Sequence, residues 1–447
     1  MLKTFKSGLH VPEFKNTKKS PIKDFLAPKI VSVPMQQHIG APATPKVSKG
    51  DRVYVGQMIG NFDSGLSCPV HASVSGTVLD IEYRPSYTGY GKTAHVIIEN
   101  DFSDTVHPDI KPYPGKLSEA STEEIIEIVK NAGISGMGGA AFPTYAKIAS
   151  AVGKANDIII NCAVCEPYIT ANHRLMLEEP DRLIGGVRIL MKALGLSHAI
   201  LAVEDNKKDA AEVLSKKLAL DLSIEVAVLK TKYPQGDERQ LIYALKGVEL
   251  PAGKLPADVG CVIFNAETCA AVYIAFTTGI PLIHKIVTVD GDAICEPKNI
   301  RVPIGTSYKD IFDFCGGTKD NISRIISGGP MMGASQWDYN AVVMKNTSAI
   351  LVLSEEHDIT IAENSSCIHC GKCVSVCPMH LMPNYLAAFA KADNMEMCEK
   401  FNILSCVECG CCTYICPGRV PIVQHIRNKK VQIIAAHKKA ASAADKK

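Results

Sequence analysis

Cys367-Ile-His-Cys370-Gly-Lys-Cys373-Val-Ser-Val-Cys377-Pro378 and Cys406-Val-Glu-Cys409-Gly-Cys-Cys412-Thr-Tyr-Ile-Cys416-Pro417 are two copies of one pattern, C-x2-C-x2-C-x3-C-P. This spacing wraps three thiolates around a [4Fe–4S] cubane and sends the fourth cysteine to the neighbouring cluster. The pattern predicts one cluster on Cys367, Cys370, Cys373 and Cys416, and a second on Cys406, Cys409, Cys412 and Cys377. Two adjacent clusters imply transfer of single electrons. Zinc knuckles do not carry the third cysteine and the closing Cys-Pro. Cys411, inside the second run, reads as a small packed thiol.

Outward from these runs, the 447 residues are enough for about three domains. Hydrophobic content is 47%, charged content 21% and formal net charge +2, which gives no sign of a nucleic-acid partner. No apolar run approaches the roughly 18–20 residues that span a bilayer. The N-terminus has no secretory h-region, and unpatterned free cysteines point to a reducing cytoplasm. Cys68, Cys261, Cys269, Cys295, Cys315 and Cys398 read as packed thiols. The basic stretch Arg427–Lys447 reads as a frayed helix or tail.

Five segments follow from pattern. Residues 1–110 are β-rich, with Ile30–Val33, Arg52–Val55 and His95–Ile98 broken by Gly and Pro turns. Residues 111–285 alternate helix (Thr122–Asn131, Asp181–Leu194, Lys208–Leu218) with strand (Asp157–Asn161, His198–Val203, Ile224–Leu229), predicting a mostly parallel sheet. Residues 286–355 suit a small β-grasp module, and 356–430 form the cluster domain, with a helical connection Asn384–Phe401. Residues 431–447 are the basic tail.

Gly133-Ile-Ser-Gly136-Met-Gly138-Gly139-Ala-Ala-Phe142-Pro-Thr-Tyr-Ala-Lys147 is the second informative stretch. Its glycines let backbone amides approach and cradle a phosphate. It lacks the dinucleotide fingerprint and the P-loop closure. Asn161 and Glu166 follow a predicted strand. Tyr233, Gly236, Asp237, Glu238, and then Asn265 and Thr268, supply further polar loops. Ligands in parallel sheets bind beyond the carboxyl ends of strands. Together these loops suit flavin mononucleotide, which joins two-electron to one-electron chemistry.

These pieces resemble the flavin- and NADH-binding subunit of respiratory complex I. Its G-R-G-G-A-G-F-P-T-G-x-K loop is matched at Gly136, Gly138, Gly139, Phe142, Pro143, Thr144 and Lys147. Its N-A-D-x-x-E-P turn is matched at Asn161, Glu166 and Pro167. Its Y-x-C-G-E-E turn is matched at Tyr233, Gly236, Asp237 and Glu238, and its N-N-V-E-T turn at Asn265, Glu267 and Thr268. Met137 replaces the loop arginine, Tyr145 a glycine, Ala163 and Val164 an acidic pair, and Phe264 an asparagine. The stretch from Val47 to Leu79 resembles the flattened barrel of biotinyl and lipoyl carriers without their modified lysine.

The whole order is similar to the C-subunit family of the Rnf electron-transport complex. It comprises a carrier-like β-barrel sandwich, a complex-I-like flavin-binding α/β domain, a β-grasp module of the soluble-ligand-binding type, and a two-cluster ferredoxin-like helical domain. The resemblance implies an NADH dehydrogenase-type subunit of an ion-translocating ferredoxin:NAD oxidoreductase, working reversibly with two [4Fe–4S] clusters, FMN and NAD(H). It implies peripheral attachment on the cytoplasmic face of a bacterial membrane, with membrane subunits and an iron–sulfur subunit as partners and ferredoxin indirectly so. It implies that the glycine loop and Lys147 hold the flavin phosphate, that Phe142 stacks on adenine, that Glu166 faces the nicotinamide, and that Asn161, Asn265 and Thr268 bind the flavin. Two alternatives stay open. One is a soluble cobalamin reductase of a bacterial microcompartment. The other is an electron-relay or scaffold subunit without nucleotide binding, which Met137, Ala163 and Val164 permit.

Overall fold

The computed structural model describes residues 2–86, 91–356 and 366–444, with side chains to residue 440. Its centre is a parallel four-stranded sheet in the order Ile224–Leu229, Ala199–Glu204, Asp157–Asn161, Cys261–Asn265. These strands are apolar on both faces because both are covered. Ile158, Ile160, Leu201 and Val203 face a core with the helices Thr122–Asn131, Pro180–Leu194 and Ala266–Thr278. Ile159, Ile200 and Ile263 face Leu241, Ile242 and Leu245 of the helix Glu238–Lys246. Thr122–Asn131 begins with a capping box, in which Ser121 and Glu124 each satisfy the other's amide.

Two small antiparallel sheets enclose the N-terminal core of Val31, Val33, Ile59, Val70 and Val96. A mixed six-stranded sheet carries the helix Tyr308–Phe314 over Val287, Ile300 and Val352. The first edge of this sheet is unexpected. Strand Ile22–Asp24, which the sequence places with the 1–110 unit, pairs in parallel with Lys298–Pro303. Residues 3–24 run as a strap over three domains: Lys3 bridges Leu229, Leu9 bridges Tyr233, and the Gly8 amide donates to Val376 O at 3.0 Å.

In the cysteine domain the short helices Lys372–Ser375 and Cys411–Tyr414 occupy the same place in each run, each entered through a left-handed glycine, Gly371 or Gly410. The expected single connection Asn384–Phe401 is two helices, Pro383–Lys391 and Met395–Lys400. The basic stretch is not a separate tail. One helix, Ile422–Ala444, crosses the expected boundary at 430 with Ile426, Lys429 and Ile433 buried, and Asp445 lies outside the described residues. Its apolar stripe, hidden among lysines, fastens it to the domain. No helix among the described residues is long and apolar enough to cross a membrane.

Candidate functional site

The glycine loop lies over the carboxyl ends of the central strand Asp157–Asn161 and the edge strand Cys261–Asn265 beside it. Asn161 and Asn265 are register partners there. Asn265 accepts the Glu267 amide at 2.9 Å and so starts the helix Ala266–Thr278. Asn161 donates to Gly236 O at 2.8 Å and accepts the Ala163 amide at 3.1 Å. The loop is tied down at Met137, whose amide donates to Thr268 Oγ1 at 3.0 Å, and at Gly136, whose amide donates to Phe142 O at 2.9 Å. A Cβ on Gly138 would come 3.0 Å from Asn265 Nδ2, so any side chain there would press Asn265 out of place. Gly139 has φ +70°. Among the described residues no acceptor takes up the amides of Gly138, Gly139 or Ala140. A turn of open amides beside two strand ends suits an anionic phosphate. Phe142 is 37% exposed and free to stack.

Lys147, from the helix Thr144–Ala151, reaches Glu238 Oε1 at 2.6 Å and Ile263 O at 3.0 Å. Glu238 is therefore tied to this loop. Its neighbour Arg239 turns away and donates to Leu250 O at 2.6 Å. Asp237 caps the helix Glu238–Lys246 through the Arg239 and Gln240 amides, while burial lifts its carboxyl up to about 6.

Two expected site residues also make contacts between domains. Glu166 accepts the amides of Met331 at 3.1 Å and Met332 at 2.9 Å, from the β-grasp module. Loss of hydration there pushes its carboxyl up to about 7, against the pull of those amides and Lys15. Tyr233 is 1% exposed, and its hydroxyl donates to Cys409 O at 2.6 Å. Tyr233 thus sits on the seam with the cysteine domain, and Glu166 on the seam with the β-grasp module.

The eight cysteines line two cavities. One holds Cys367, Cys370, Cys373 and Cys416, with His369, Lys372, Lys391 and His425. The other holds Cys377, Cys406, Cys409 and Cys412 among Pro378, Leu381, Leu386 and Ile426. Each is the three-plus-one set that the spacing predicts. Among the described residues no three ligating side chains close on a single ion. Four thiolates spread around a common space are the donor set that a cubane takes. Burial raises the thiols of Cys406, to about 11, and of Cys412.

Four family models match: an RnfC barrel sandwich hybrid domain over 3–103, a Nuo51 FMN-binding domain over 129–274, an SLBB domain over 286–335 and a 4Fe-4S binding domain over 363–380. The C-subunit of the Na(+)-translocating ferredoxin:NAD(+) oxidoreductase complex of Acetobacterium woodii is 46% identical, covering 98% of each chain. The C-subunit of the proton-translocating complex of Clostridium ljungdahlii is 46% identical over 98% of this chain and 95% of its own. The C-subunit of the ion-translocating oxidoreductase complex of Rhodobacter capsulatus is 38% identical over 94% and 81%. This chain belongs to the C-subunit family of these complexes. As a member of that family it is an electron-transfer subunit with an FMN-binding domain and an iron–sulfur domain.

Several residues escaped sequence reasoning. Lys15 is half-buried and donates to Val164 O, Glu166 O and Ile169 O at 3.1, 2.6 and 2.7 Å, clamping the turn that carries Glu166. Burial, with Lys207 nearby, brings its ammonium down to about 7. Buried Lys345 donates to Gly133 O at 2.7 Å, and so braces the start of the glycine loop. Glu267 pairs with buried Lys285 and accepts the Ile286 amide at 2.7 Å, docking its helix on the β-grasp strand. A lone lysine in a polar N-terminus carries no sequence signal for such roles. Cys295, expected to be packed, is exposed, in the bend that follows Ile294; the other five of that group are buried.

Proposed function

We propose that this chain is the NADH-oxidising, or NAD-reducing, subunit of an ion-translocating ferredoxin:NAD oxidoreductase, working as a peripheral subunit on the cytoplasmic face of a bacterial membrane. The reading rests most on one juxtaposition: the α/β domain with the open glycine loop packs directly against the Cys377/Cys406/Cys409/Cys412 cavity. When bound, FMN would accept a hydride from NADH and two [4Fe–4S] clusters would carry its electrons singly.

The chain's own residues divide the work. Gly138 and Gly139 offer backbone amides to the flavin phosphate, Gly136 closes the turn behind them through Phe142 O, and Lys147 supplies positive charge beside them. Asn161, Asn265 and Thr268 hold the floor beneath the ring. Phe142 stacks on the nucleotide. Gly236, Asp237 and Glu238 shape the facing wall, with Glu238 keeping Lys147 in place. Tyr233 lines the side toward the cysteine domain, and Glu166 the side toward the β-grasp module. Cys367 and Cys370 are exposed, so their cavity offers the face for an iron–sulfur partner subunit, through which the chain would reach ferredoxin and the membrane subunits.

Anaerobic mixing of the purified chain with NADH tests this. Bleaching of the flavin band followed by loss of the broad cluster absorption is expected. A chain with both clusters loaded whose flavin NADH leaves oxidised would sink the NADH reading and leave an electron relay.

A further inference from the structure

Among the described residues, only one of the two cysteine cavities is held by side chains from the α/β domain. Tyr233 Oη donates to the carbonyl of Cys409 at 2.6 Å. Gln240 Nε2, from the buried face of the helix Glu238–Lys246, donates to the carbonyl of Pro378 at 3.3 Å, next to Cys377. Both acceptors belong to loops of the same four-thiol set, one from each cysteine run.

The contacts around them are close. A Cβ on Gly410 would stand 2.7 Å from Met331 O, so the loop after Cys409 lies directly on the turn whose amides bind Glu166. Leu9 exchanges both main-chain hydrogen bonds with Tyr233, each at 2.8 Å, and Gly8 reaches Val376 O beside Cys377. Leu9, Tyr233, Cys409 and Cys411 share one small apolar core. The other cavity has no such bonds among the described residues; its mouth is Ser366 to Lys372, largely exposed.

We infer that Tyr233 and Gln240 are positioning residues for the second cluster: by gripping the Cys409 and Cys377–Pro378 loops they hold that cluster's environment against the α/β domain and help set its reduction potential. The inference rests on the cluster reading and not on NADH binding. A cluster's potential responds to nearby hydrogen bonds and to solvent exposure. The Tyr233 proton places a positive dipole end beside a peptide group of a liganding cysteine. Removing it leaves the reduced, more negative cluster less stabilised.

The test is a potentiometric titration of the full-length chain with a chemical reductant, followed by electron paramagnetic resonance of both clusters. Tyr233→Phe and Gln240→Leu should each move one potential downward and leave the other in place. For Tyr233→Phe the expected change is about tenfold in the ratio of oxidised to reduced cluster, or ~59 mV for a one-electron couple. Cys370→Ser, which removes the exposed cluster, should leave the shifting signal present. Both potentials unmoved in both variants, or both displaced together, would overturn the inference. If Tyr233→Phe fails to load clusters, Gln240→Leu decides; failure of both to load would make these residues scaffold rather than positioning groups, and so also overturn it. Because no NADH is used, failure of the NADH reading would leave this outcome readable.

Discussion

The two cysteine runs have the same spacing and different surroundings. The cavity of Cys377, Cys406, Cys409 and Cys412 is lined by apolar side chains and wedged against the α/β domain. The cavity of Cys367, Cys370, Cys373 and Cys416 opens to solvent under a rim of Lys372, Lys391, His369 and His425. Identical local grammar therefore builds an inner site and an outer one. The difference comes from what packs on each run. The second run receives Tyr233, Met331 and the helix Ile422–Ala444, whose Lys430 donates to Cys406 O at 2.7 Å and to Glu408 at 2.6 Å. The first run is gripped only at its end, where Gly8 and Gln240 reach Val376 O and Pro378 O beside Cys377; the loop Cys367–Cys373 meets no comparable grip among the described residues.

The sharpest way to break this contrast is to remove one ligand from each set. Cys409→Ser and Cys370→Ser should each lose one cluster and about half the cluster iron. Only Cys409→Ser should also lower the melting temperature of the whole chain, because it empties a cavity inside a domain seam. Equal losses of stability would show that the seam does not depend on the inner set. Next in size, Ile426→Ala should cost about 2–5 kcal/mol in denaturant unfolding, since it hollows the core behind the inner cavity. Ile368→Ala, on the exposed rim, should stay within about 0.5 kcal/mol.

Lys15→Met should cost about 1–3 kcal/mol, because three carbonyls of the Glu166 turn lose their donor. Hydrogen exchange at residues 164–169 should quicken, and an unchanged rate would remove the strap from the account. The smallest effect concerns pH. The Glu166 carboxyl sits near 7, above its ordinary value of about 4.3. Folding therefore favours its protonated form. That contribution is fully present below about pH 4 and is lost as pH rises through 7. Glu166→Gln should flatten the fall in melting temperature between pH 5 and 8; an unchanged slope would assign the fall to other groups.

Much of the layout was legible in the chain. The strands Asp157–Asn161 and Ile224–Leu229 and the helix Thr122–Asn131 have the bounds their patterns predict, because each is a short apolar period closed by clear breakers. The helices Glu238–Lys246 and Ala266–Thr278 were missed as helices; their N-caps Asp237 and Asn265 were read only as polar loop residues. The strap was also missed. Its bonds to Tyr233 and Val376 are made by main chain, which every residue carries, so no residue type announces them.

The sequence by itself determined the two cysteine sets, the glycine loop and the alternation that makes a parallel sheet, because each depends on spacing along the chain. Only the tertiary structure decided which cysteine set lies inside, that Glu166 and Tyr233 face domain seams, and that Lys15 clamps a turn some 150 residues away. Those outcomes depend on which surfaces meet, and contacts between distant segments are set by the packing of whole domains rather than by any local period.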